Sequence, residues 1–215
     1  MRGTITTDSE NAFESLCNVK GILIERIERE TIKTPDFFIY IAGSRVVIEI
    51  KEFESDSKEE DEIHRSFIAN PSEIHFEECK PGEDIRKKIK KAGPQIRQKT
   101  GGLLPSMLVL YNKRHFSNPA SDLQILVGMY GIPIVELHDP NMGIAQFGGS
   151  RQMSETYNTS ISALAVLSFD GAGSTQLVVY HNKYSSIPLS PDSLRILASR
   201  QFVLVQDPSF KWREI

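Results

Sequence analysis

At 215 residues, with 40% hydrophobic residues and a net charge of −3, the chain is long enough to close a core without disulfides or metals. The slight acidity argues against strong indiscriminate nucleic-acid binding, though not against local basic patches. A polar start and no apolar run of spanning length point to a cytoplasmic protein with no membrane partner. Cys17 and Cys79, the two cysteines, are expected as free thiols in a reducing compartment.

Phe13, Leu16 and Cys17 form a stripe that predicts a helix over 9–19, capped by Asp8 or Ser9 and stopped by Gly21. Strands follow over 21–30 and 36–41, the second entered in extended form through Pro35. Ala42-Gly43-Ser44 makes a tight turn, so 45–53 returns antiparallel. Val46, Val47, Ile48, Ile50 and Phe53 place apolar residues on both faces of that strand, as in the middle of a sheet. Residues 54–82 read as polar and irregular, with a short helix near 60–69. Ile85, Ile89, Ala92 and Ile96 predict a helix over 84–99, kinked or interrupted at Gly93-Pro94. A buried strand at 103–111 is expected parallel to an earlier one across that helix. A helix at 122–130 and a strand at 132–137 come next. Strands at 161–169, 176–180 and 202–205, with a helix near 192–200, complete an α/β series in one domain spanning 1–215.

Charge is unevenly placed. Residues 52–62 hold seven acidic side chains and one lysine, and read as a solvated loop. Residues 86–99 hold seven basic side chains and no acidic one. There Arg86, Lys87, Lys90 and Lys91 flank the apolar stripe, either as a plain solvated face or as a track for a nucleic-acid backbone.

Glu49 and Lys51 lie two apart in a buried strand, so both project from one face. Burying a carboxylate and an ammonium there costs several kcal/mol unless something pairs with them. Asp36 opens the preceding strand, a hairpin's length upstream. Two carboxylates and a lysine at a sheet edge make a metal and phosphodiester site. The competing reading is a buried Glu–Lys pair with Asp36 as a strand-entry residue.

The order helix, three-strand antiparallel meander, helix, strand, with Asp36 and Glu49-x-Lys51, resembles the core of the PD-(D/E)xK nuclease superfamily over about 8–112. The resemblance implies a restriction-endonuclease-like core, a C-terminal α/β elaboration over about 113–215, and metal-dependent hydrolysis of phosphodiester bonds. It implies Mg²⁺ (or Mn²⁺) held by Asp36, Glu49 and the backbone carbonyl of Ile50, through hard oxygen ligands. Such a metal lowers the pKa of a bound water. Lys51 is then expected to orient that water or to stabilise the transition state. A glutamate on the first helix is also implied. Glu10 shares the inward stripe with Phe13 and Cys17, whereas Glu14 lies at its edge and ranks second. The spacing from Glu10 to Gly21 resembles that of archaeal Holliday-junction resolvases. Arg86-x-x-Ile89-x-x-Ala92-x-x-Gln95 resembles a segment in which a glutamine reaches the active site, which places Gln95 beside Lys51. The implied partner is nucleic acid, DNA ahead of RNA, and a homodimer is compatible with this reading. Two rivals remain, a nuclease-fold scaffold without turnover and an RNA-processing nuclease. His75-x-x-x-Cys79 lacks a second ligand pair for zinc, and the glycine loops at 148–150 and 171–174 lack a phosphate-loop context.

Overall fold

A computed structural model describes residues 6–28, 33–53, 80–112, 120–139, 142–169, 173–206 and 209–215, with 135–139 and 142–145 through their backbone alone. The proposed helix near 60–69, most of the acidic run, and the pair His75 and Cys79 fall outside these residues.

The protein is α/β with a mixed sheet. Helix α1 (Asp8–Val19) precedes β1 (Leu23–Arg26), β2 (Phe37–Ile41) and β3 (Ser44–Phe53). Helix α2 (Glu83–Thr100) leads to β4 (Ser106–Asn112), and α3 (Asp122–Tyr130) to a separate hairpin of β5 (Pro133–Asp139) and β6 (Met142–Phe147). The chain then adds β7 (Ala163–Phe169), β8 (Thr175–His181), the one-turn α4 (Pro191–Leu194), β9 (Arg200–Gln206) and β10 (Phe210–Glu214). Eight strands form one sheet in the order β1-β2-β3-β4-β7-β8-β9-β10. Its pairs are antiparallel at β1/β2, β2/β3, β7/β8 and β9/β10, and parallel at β3/β4, β4/β7 and β8/β9.

Side-chain alternation sends the central strands' two faces into two cores. Val46, Ile48 and Ile50 of β3 join Phe13, Leu16 and Cys17 of α1 and Leu194 of α4 on one face. Phe53, with Leu108 and Leu110 of β4, meets Ile85, Ile89, Ala92 and Ile96 of α2 and Ile125 and Met129 of α3 on the other. Each fully buried isoleucine contributes on the order of 1.5–3 kcal/mol. The β2–β3 turn is a two-residue loop in which Ala42 (φ 48°) and Gly43 (φ 76°) are both left-handed, which matches the twist of the flanking strands. Where α2 begins, it comes so close to α3 that a methyl on Gly128 would lie 2.5 Å from Cγ2 of Ile85.

Several expectations need correction. Thr7, not Asp8 or Ser9, caps α1, its hydroxyl accepting from the Glu10 amide at 3.3 Å. The strand expected over 21–30 is only four residues long. Helix α2 runs unbroken through Pro94, whose side chain is solvent-exposed. Gly93 instead serves packing, since a Cβ there would lie 2.4 Å from Oδ1 of Asn158. The helix expected near 192–200 is a single turn, and β6 and β10 had no counterpart among the expected strands. Among the described residues, no helix is long and apolar enough to cross a membrane. Cys17 is a free, buried thiol, which burial pushes up to about 12.

Candidate active site at the β2–β3 edge

Strand register brings Asp36 and Glu49 together. Phe37 pairs with Ile48, so Asp36, one residue earlier, stands opposite Glu49 on the same face of the hairpin. The Asp36 amide donates to the Ile48 carbonyl at 3.0 Å, and the Ile50 amide donates to Oδ2 of Asp36 at 2.7 Å. Both amide and carbonyl of a strand residue point to one side, so the Ile50 carbonyl faces this same edge, beyond the start of β2.

Glu49 is 1% exposed, and it lies on the face that α2 covers. Its Oε1 accepts from the Lys51 ammonium, a short contact on one strand face. Its Oε2 is buried with no hydrogen-bond partner among the described residues. Burial, then the Asp36 carboxylate, pushes the Glu49 carboxyl up to about 7; Lys51 opposes the rise and Glu10 adds to it. A buried carboxylate that retains an unpartnered oxygen beside two further carboxylates is electrostatically incomplete.

Helix α1 supplies the third carboxylate. Glu10 is 4% exposed and bonds Nη1 of Arg26, while the half-exposed Glu14 meets Nη2 of the same guanidinium at 3.2 Å. The guanidinium also lies 4.5 Å from the centroid of the Phe37 ring, next to Asp36 in sequence. Arg26 thus ties α1 to β2, and Glu10 is near enough to Glu49 for its charge to add to the rise in the Glu49 carboxyl. Close by, Oε1 of Glu52 accepts from the Ser9 amide at 3.2 Å, where a carboxylate meets the positive end of α1.

Gln95 lies on α2, half-buried, with its Oε1 buried and unpartnered among the described residues. No hydrogen bond joins it to Lys51 among the described residues, and the Lys51 ammonium donates to Glu49. On the same helix, Arg86 donates to the Pro81 carbonyl at 2.8 Å and Lys87 pairs with Glu83 at 3.0 Å. Lys90 and Lys91 are exposed. The structure therefore brings Asp36, Glu49, Lys51 and the Ile50 backbone to one edge with Glu10 near it, while Arg86, Lys87, Lys90 and Lys91, four of the seven basic residues of α2, lie off that helix's buried stripe.

Arg26 and Glu52 were not singled out in the sequence. The signal for Arg26 was present in the alternation of β1, where Ile24 packs inward and Arg26 follows two residues later. A charged residue ending a four-residue strand was simply too easily read as solvent-facing.

No family model, no curated protein and no solved structure matches this chain. Among the described residues, no group of three or more His, Cys, Asp or Glu side chains is arranged to hold a metal ion. The donors nevertheless suit a hard divalent cation: they are carboxylate oxygens, one of them orphaned, and the Glu49 carboxyl is raised first by burial and then by the Asp36 charge.

Proposed function

We propose that this protein is a divalent-metal-dependent nuclease with a restriction-endonuclease-like core, acting on DNA ahead of RNA. The observation that carries the reading is Glu49, buried, with one oxygen on Lys51 and the other unpartnered among the described residues, opposite Asp36 in the hairpin and close enough to Glu10 of α1 to feel its charge. Asp36, Glu49 and the Ile50 carbonyl are the residues that would hold Mg²⁺ or Mn²⁺, with Glu10 behind them. When bound, such an ion supplies charge neutralisation at a phosphodiester and an acidified water. The chain's own part is positional. Asp36 is fixed by the Ile50 amide, Glu10 by Arg26, and Lys51 places a positive charge where a phosphoryl transition state gains negative charge.

The deciding experiment incubates the purified protein with plasmid, linear and single-stranded DNA and with RNA, with and without Mg²⁺ or Mn²⁺. Cleavage that needs the ion and disappears in Asp36→Ala supports the reading; ion-independent cleavage, or none on any substrate, sinks it. Two observations favour a second reading, a nuclease-fold scaffold without turnover. The Lys51 ammonium already neutralises Glu49 internally, and no three-residue metal cluster forms among the described residues. That scaffold would bind nucleic acid equally well with or without metal and would cut none.

A further inference from the structure

The hairpin face that carries Asp36 and Glu49 continues away from them. Phe38 pairs with Val47 and Tyr40 with Arg45 on that face. Phe38 and Val47 are buried, with Tyr40 and Leu104 packed against them. The Arg45 guanidinium lies 3.5 Å from the centroid of the Phe38 ring and 5.9 Å from that of Tyr40. The Lys99 ammonium, from the last turn of α2, stands 5.6 Å from the same Phe38 ring. Two cations thus share one aromatic ring. Each is attracted by the ring and repelled by the other. The carboxylate at hand is Glu25, 3.9 Å from Arg45, which also accepts from the Tyr40 hydroxyl at 2.8 Å. Lys99 forms no ion pair among the described residues. An anion approaching this corner meets two converging cations, with Glu25 as the carboxylate beside Arg45.

We propose that Arg45 and Lys99, held over Phe38, form a phosphate-backbone contact for the nucleic acid that reaches the Glu49 site. The inference rests on the nuclease reading for its choice of partner. Arg45 stands four residues from Glu49 on one strand face, roughly 13 Å away. That is about four base steps along a duplex axis, so one bound duplex spans both places. The contact consists of two cations over one ring, and cations that meet phosphates carry no sequence information. It therefore grips without sequence preference.

The test is binding rather than cleavage: anisotropy of a labelled duplex of about 20 base pairs, in EDTA, from about 50 to 200 mM salt. The Arg45→Ala/Lys99→Ala protein should weaken binding equally for unrelated sequences. The slope of log affinity against log salt should become shallower by about 1.8, about 0.9 for each phosphate lost. The single variants Arg45→Gln and Lys99→Gln should each remove about half of that. Arg45→Lys/Lys99→Arg should keep the slope, and Glu25→Gln should tighten binding by removing the competing carboxylate. A folded double variant with wild-type affinity and slope overturns the contact, even if the protein cleaves DNA. Patch-dependent binding without cleavage in Mg²⁺ upholds the contact and overturns the nuclease reading. Binding to polyglutamate but not to the duplex assigns the corner to an acidic protein and overturns the proposal.

Discussion

Glu49 is neutral in the folded protein over a pH range in which the unfolded chain has already lost its proton, because its carboxyl moves from 4.5 up to about 7. The folded state then binds the extra proton, so this group's contribution falls as pH rises from about 4.5 through about 7. The loss is on the order of 3 kcal/mol for a shift of this size. Glu49→Gln removes the charge that must be buried. Its denaturation midpoint should therefore vary less between pH 5 and pH 8 than that of the wild type, and should exceed it at pH 8. Mg²⁺ should raise the wild-type midpoint most at the higher pH, where the carboxylate is ionised, and leave the variant unmoved. A wild-type midpoint with the same pH dependence as the variant removes the buried-charge account. In the proposed nuclease, Lys51 would act on the reaction rather than on the ion: Lys51→Ala should retain metal binding by calorimetry while cleavage falls about a hundredfold or more, some 3–4 kcal/mol of transition-state stabilisation. Wild-type cleavage by that variant at saturating metal refutes the role.

Helix α1 presents Glu10 and Glu14 to one arginine but buries only the first. Glu10→Gln should consequently weaken metal-dependent cleavage more than Glu14→Gln, and equal loss in the two rates would leave α1 out of the chemistry. At the α2–α3 crossing the constraint is steric. Gly128→Ala forces a methyl onto Ile85 Cγ2 at the point where α2 starts, and overpacking of this kind costs about 1–3 kcal/mol. The expected readout is a lower thermal midpoint, and an unchanged midpoint would mean that α2 shifts freely. Helix α2 also explains why Pro94 leaves the helix intact. Its apolar stripe Ile85, Ile89, Ala92 and Ile96 is wholly buried, and that packing outweighs the single amide donor that the proline lacks.

Across the whole molecule, the sheet does not stop at β4. Strand β7 pairs with β4, and Ala163, Ala165 and Leu167 share a core with β3 and α1. An aromatic cluster then ties the far end of the chain to the α2–α3 layer. Tyr130 packs against Phe147 and Trp212, Phe147 stacks on Phe210 at 3.9 Å, and the Trp212 indole donates to the Asp122 carbonyl at 2.9 Å. A fragment ending at Asn112 would leave β4 an exposed edge and open both cores. It should fail to give a cooperative unfolding transition by circular dichroism, whereas a cooperative transition would make the C-terminal half a dispensable addition.

The local pattern determined much of this. Two-residue alternation in 45–53 and helical spacing in 84–99 follow from which faces must be apolar, and the Ala42-Gly43 turn follows from backbone sterics, so all three were legible in the chain. The same alternation put Glu49 and Lys51 on one face, and the hairpin register carried Asp36 to them. What the sequence could not supply was anything that depends on contact between distant elements. Whereas the Thr7 cap and the Lys51–Glu49 pair are local contacts, the Arg26 clamp on Glu10 joins β1 to α1 and was decided by packing. So was the pairing of β10 with β9, and with it the aromatic closure over α3. Periodicity reports a residue's face, which is local; its partner, its burial and its charge state are set by where other elements bring their side chains, and that is decided only when the chain has folded.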